Sequence, residues 1–115
     1  MKDYTAIQQR YMRDDLRVRL GGLAANLRRI QSACNHDANC DLVASMLDES
    51  KRFIEWTAAE AEIDKAAELV ELQVQLARWQ SNWSKTWNDP IRRREVAEQS
   101  GRWLDRVLEL SGLMG

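Results

Sequence analysis

The stretch LVELQVQLARWQSNWSKTW at positions 69–87 decides the fold. Leu69, Leu72, Leu76, Trp79, Trp83 and Trp87 follow one another at steps of three and four, the spacing that places side chains on one side of an α-helix. A second apolar row, Ile63, Ala67, Val70, Val74 and Ala77, runs beside the first. The two rows predict a helix that begins near Ile63 and stops at Asn88-Asp89-Pro90. Proline bars the residue before it from the helical conformation and itself suits the first turn of a new helix, with Asn88 or Asp89 as its cap.

The last helix is therefore expected from Pro90 to about Leu110. It reads Val96, Ser100, Trp103, Val107 and Leu110 beside Ala97, Gly101, Leu104 and Leu108. Upstream, Leu42, Val43, Met46, Leu47, Phe53, Ile54 and Trp56 form two adjacent rows, as in a helix buried over a broad face. Thr57 and Glu60 have the spacing of a capping box, in which the threonine oxygen accepts from a backbone amide and the glutamate reaches back. A break or sharp bend is expected between Trp56 and Ile63. Without it, the helix from Asp41 to Trp87 would run ~70 Å, a length suited to an elongated oligomer.

Before these lies a run of near-heptad spacing, Tyr4, Ile7, Tyr11, Leu16, Leu20, Leu23, Leu27, Ile30 and Cys34. It predicts one long helix from about Asp3 to Cys34, with Met12 bridging the over-long step from Tyr11 to Leu16. Gly21 and Gly22 interrupt its interior at ~1 kcal/mol each relative to alanine, which suggests a close helix crossing. The segment from Asn35 to Asn39 is rich in residues that bond their own backbone, so the chain should reverse there, with Asn39 or Asp41 capping the next helix. The expected architecture is a single all-α domain over residues 1–115. It is an antiparallel bundle of four helices, or three if the middle helices are continuous.

Composition agrees, since charged residues make up 30% of the chain while glycine and proline number only 5 and 1. The net charge of −1 argues against a general polyanion binder. That total conceals an uneven layout of +4 over residues 1–35, −7 over 36–76 and +2 over 77–115. The acidic middle should pack against the basic flanks, each exposed pair adding only ~0.2–1 kcal/mol. No apolar signal region or bilayer-length apolar run is present, so a soluble, cytoplasmic protein without membrane contact is expected.

Several side-chain groupings could carry function. Trp79, Trp83 and Trp87 form a ladder one turn apart, which either fills the core or turns Trp83 and Trp87 toward a partner, where aromatic residues are enriched. Arg10, Arg13 and Arg17 share a face of the first helix and could meet the acidic segment or an acidic partner. Arg92, Arg93 and Arg94 open the last helix, where positive charge opposes the macrodipole, so an acidic neighbour or an anionic partner is expected. Cys34, His36, Asp37, Cys40 and Asp41 gather metal-ligand types. Zinc normally takes four ligands from paired knuckles, and a disulfide needs Cα atoms within about 7 Å. Two ordinary thiols at helix ends are expected here, with no metal.

Arg29 and His36, six residues apart, resemble the Arg-x4-6-His signature of HEPN-type ribonucleases, helical-bundle proteins that often dimerise around that motif. The resemblance covers two residues. It implies that His36 would move the proton at an RNA 2′-hydroxyl while Arg29 stabilises the phosphate. No glycine-rich phosphate loop, nucleophile elbow or Glu-x-x-His pair appears, so neither a cofactor nor enzymatic activity is expected. The leading expectation is a non-enzymatic protein-protein interaction module, an adaptor, regulator or assembly factor. It would bind a protein partner or itself through amphipathic helices and a surface of Trp79, Trp83, Trp87, Arg10, Arg13 and Arg17. The alternative is a nucleic-acid-acting protein that uses Arg29 and His36 or the arginine row.

Overall fold

The computed structural model describes residues 3–112. They form α1 (Thr5–Met12), α2 (Leu16–Ala33), α3 (Cys40–Ala58), α4 (Ile63–Ser81), α5 (Trp83–Asn88) and α6 (Pro90–Ser111), with a 3-10 turn at Asp37–Asn39. No strand occurs among the described residues.

The single first helix predicted over Asp3 to Cys34 is two helices. The chain breaks at Arg13 to Asp15, where Asp15 leaves the helical conformation and its carboxylate accepts the Val18 amide at 3.1 Å as the N-cap of α2. Met12 does not bridge the over-long step and faces solvent. The break has a second cause in Arg19, whose guanidinium turns back to donate to the Asp14 carbonyl at 2.8 Å and the Met12 carbonyl at 3.2 Å. These carbonyls at the end of α1 would otherwise lack partners.

The expected break after Trp56 is present, but the capping box is not its device. Helix α3 runs on through Thr57 to Ala58, and Thr57 is buried. Its hydroxyl pairs with the Tyr11 hydroxyl at 3.1 Å, while Glu60 forms an ion pair with Arg19. At the start of α3, Asn39 occupies the cap position without capping. Its side-chain amide instead donates to the Ala33 carbonyl at 3.0 Å, closing the turn onto the end of α2.

The helix predicted from Ile63 to Asn88 bends at Asn82, whose backbone (φ −133°, ψ 42°) divides α4 from α5. Asp89 caps α6 as expected, accepting from the amides of Ile91 at 3.0 Å and Arg92 at 3.4 Å, with Pro90 in the first turn. Gly112 ends it at φ 73°, the left-handed conformation that glycine adopts without steric cost.

The four long helices α2, α3, α4 and α6 form the bundle, each antiparallel to its neighbours. Pairings across the bundle show this. Arg19 early in α2 meets Glu60 just past α3, Trp83 just past α4 meets the Cys40 carbonyl at the start of α3, Glu68 early in α4 meets Arg106 late in α6, and Arg17 early in α2 meets the Gly112 carbonyl just past α6. Helix α6 lies along α2 more extensively than any other pair. Gly101 faces α2, where a Cβ would require the end of the Gln31 side chain to turn aside. Gly22 faces the Tyr11 ring of α1, which a Cβ would meet at 3.6 Å, an ordinary contact, so this glycine does not mark a close crossing of long helices. Leu20, Leu23, Leu27, Ile30, Val43, Leu47, Ile54, Leu69, Leu72, Leu76, Val96 and Val107 are almost wholly buried and make the core.

Helix α1 lies across the α2/α3 end through aromatic rings. Tyr11 stacks on Phe53 with centroids 4.1 Å apart, and Trp56 packs against both. Tyr4 meets the edge of Trp56 and donates its hydroxyl to Asp48 at 2.6 Å. That bond holds the Asp48 carboxyl below its usual range, and burial together with the Asp48 charge pushes the Tyr4 phenol up.

Candidate interaction surface

The leucine half of the decisive row is core, and so are two of its tryptophans. Trp79 and Trp87 are only 9% and 3% exposed, so they are not offered to a partner by this chain. Trp83 is half-buried. The bend at Asn82 gives this end of the ladder a structural task. Trp83 donates its indole N–H to the Cys40 carbonyl at 2.9 Å, and Trp87 donates to the Asp37 carbonyl at 3.1 Å. Both indoles thus tie α5 to the turn between α2 and α3.

The arginines divide in the same way. Arg93 lies over the Trp87 ring at 5.0 Å and pairs with Asp37 at 2.7 Å, which supplies the acidic neighbour expected of the triple-arginine run. Arg92 sits 3.7 Å from Asp89. Arg94 and Arg28 line a shallow groove between α6 and α2 that Glu98 shares. The Arg10, Arg13 and Arg17 row does not survive as one helical face, because the break at Arg13 to Asp15 puts Arg10 on α1, Arg13 in the turn and Arg17 on α2. Arg17 reaches the Gly112 carbonyl at 3.4 Å.

Arg29 and His36 are both exposed. The Arg29 guanidinium leans back along its helix to the Asn26 side chain at 3.4 Å, away from the turn that carries His36. Cys34 is buried, which pushes its thiol up to about 11, and Cys40 is half-exposed; neither is in a disulfide. Among the described residues, no three histidine, cysteine, aspartate or glutamate side chains converge on a point that could hold a metal ion. No described helix is long and apolar enough to cross a membrane.

Among the described residues, charge complementarity between segments is realised by ion pairs that cross elements. Arg19 pairs with Glu60, Arg93 with Asp37 and Arg106 with Glu68, the last bidentate at 2.6 Å. Each joins the acidic middle to a basic flank. The Arg106 bonds hold the Glu68 carboxyl below its usual range.

Val18, Leu42 and Ile91 are also exposed, but singly and on other helices, so among the described residues the exposed apolar row is the second row of α4. Ile63, Val70 and Val74 are 85%, 46% and 45% exposed, and Ala67 and Ala77 between and beyond them are exposed as well. The bundle takes up the Leu69, Leu72, Leu76 and Trp79 side of α4 and leaves this one outside. Its flank carries Asp64, Glu71 and Arg78, all exposed. Sequence reading recognised both rows of α4 but assigned the surface to the tryptophans. The available signal was side-chain size, since the leucine-tryptophan row has more area to remove from water than a row of alanine and valine.

Comparison of the chain with protein-family models, with curated proteins and with solved structures gave no match.

Proposed function

We propose that this bundle is a non-enzymatic interaction module that docks a protein partner on the outer face of α4. The observation that carries the reading is the solvent exposure of Ile63, Val70 and Val74 in regular succession on one helix. Single exposed apolar residues need no explanation, but a contiguous apolar row rimmed by charge is a feature of binding surfaces. Helix-in-groove and helix-on-helix recognition read side chains at this spacing. The tryptophans contribute by fixing the far end of the helix, where Trp79 is buried and Trp83 and Trp87 donate to carbonyls of the α2–α3 turn and the start of α3.

A photo-crosslinking side chain placed at Val74, in the protein's native cell, tests the reading. A discrete adduct at Val74 that is missing when the same group replaces exposed Glu95 supports it. Equal, diffuse labelling at the two positions refutes it.

A further inference from the structure

We propose that the partner docked on α4 is a second copy of this chain, with its own α4 running antiparallel. Val70 then meets the partner's Val74, and Asp64 faces the partner's Arg78. This rests on the reading of the exposed row as a docking surface and adds the identity and direction of the occupant.

The row steps 63, 67, 70, 74, 77, alternating four and three residues, which is the repeat of a coiled-coil seam. Set antiparallel about a two-fold axis near position 72, it gives complementary layers. Val70 packs with the partner's Val74, and Ala67 with the partner's Ala77. The alanine layers let the two backbones approach closely on either side of the valines.

Charge selects the direction. Asp64, Glu71 and Arg78 follow at seven-residue steps along one flank of the row. In the antiparallel pair this flank meets its own copy, so the Asp64 of each chain faces the partner's Arg78, one such pair at each end of the contact. Glu71 faces the partner's Glu71 at the centre, one unfavourable pair against two favourable ones. A parallel pair would instead oppose Glu71 and Arg78 to Ala66 and Gln73 of the other flank and make no ion pair. Among the described residues, neither Asp64 nor Arg78 takes part in an ion pair within the chain, so both are available.

Size sets the strength. The row from Ile63 to Ala77 covers 15 residues and is about 21 Å long, and its contact falls short of the ~800 Å² per partner of a standard stable interface. The dimer is therefore weak and concentration-dependent.

Sedimentation equilibrium on the full chain, taken to high protein concentration, tests this. A reversible monomer–dimer equilibrium is expected. Asp64→Arg and Arg78→Asp should each weaken it about tenfold, because two attractive exposed pairs become repulsive, and the combined variant should restore it. Circular dichroism checks that the folds are unchanged, and both sites are exposed. A wild-type chain that stays monomeric overturns the proposal, as does a combined variant as weak as the single ones. If the chain is monomeric yet Val74 crosslinks discretely to another protein, self-pairing falls while the docking reading stands. If it is monomeric and Val74 gives no discrete adduct, both fall.

Discussion

Replacing Tyr11 by phenylalanine removes one oxygen atom from the joint between α1 and the bundle, and the structure indicates what that should cost. The hydroxyl donates to the Arg19 carbonyl at 2.8 Å and accepts from the Thr57 hydroxyl at 3.1 Å, in a site where Tyr11 is 7% and Thr57 1% exposed. The ring itself, stacked on Phe53, is kept. The Arg19 carbonyl lies within α2 and retains its helical partner, so its loss is small. The Thr57 hydroxyl is left buried, and a buried polar group without its partner costs ~1–3 kcal/mol. We expect Tyr11→Phe to destabilise by ~1–2 kcal/mol, or about 4 °C per kcal/mol in the melting midpoint of a chain this size. Thr57→Val removes the other side of the contact. Because the two groups share one bond, the combined variant should cost less than the sum of the single ones, by ~0.5–1.5 kcal/mol in a double-mutant cycle. Urea unfolding followed by circular dichroism, with the slope checked for constancy, is the assay. Strict additivity, or a Tyr11→Phe cost indistinguishable from zero, would refute the reasoning and mean that α1 does not dock as described.

The Ser50 and Ser100 hydroxyls are fully buried with no hydrogen-bond partner among the described residues. Ser50→Ala and Ser100→Ala should each be neutral or stabilise by up to ~1 kcal/mol, since alanine removes a buried polar atom and is the better helix former; clear destabilisation in urea would contradict this. Burial raises the Cys34 thiol from 9.0 to about 11 in the folded chain. Its contribution to stability is thus complete below pH 9 and is lost as pH rises through about 11, because the unfolded thiol ionises first. Thiol labelling near neutral pH should modify Cys40 before Cys34, and equal rates in the folded protein would show that the α2 end is open.

Legibility followed the range of the physics involved. The α6 boundary could be read because Asp89 and Pro90 act on their immediate neighbours. The reversal around Asn35 to Asn39 could be read for the same reason. The break before α2 was signalled by the over-long step to Leu16 and by Asp14 and Asp15, but an unbroken helix satisfied the same apolar spacing. What decided it was buried Arg19, whose partners lie across two turns and include Glu60, 41 positions away. Nothing local announces that a charge will be buried at such a place. Trp83 and Trp87 were ambiguous in the same sense, since the carbonyls that accept from them belong to residues 43 and 50 positions earlier. On α4 both rows were visible, but which one faces inward depends on how the other three long helices are arranged.

Arg19 also has a consequence for the order in which the molecule comes apart. Its guanidinium holds the carbonyls of Met12 and Asp14 with one set of donors and Glu60 with another. The turns at 13–15 and 59–62 are distant in sequence, yet one side chain clasps them together. Neither can open fully without stranding a buried cation, so the N-terminal helix and the α3–α4 connection behave as one cooperative unit. In native-state hydrogen exchange, the amides at the start of α2 and those at the end of α3 should therefore share a single opening free energy.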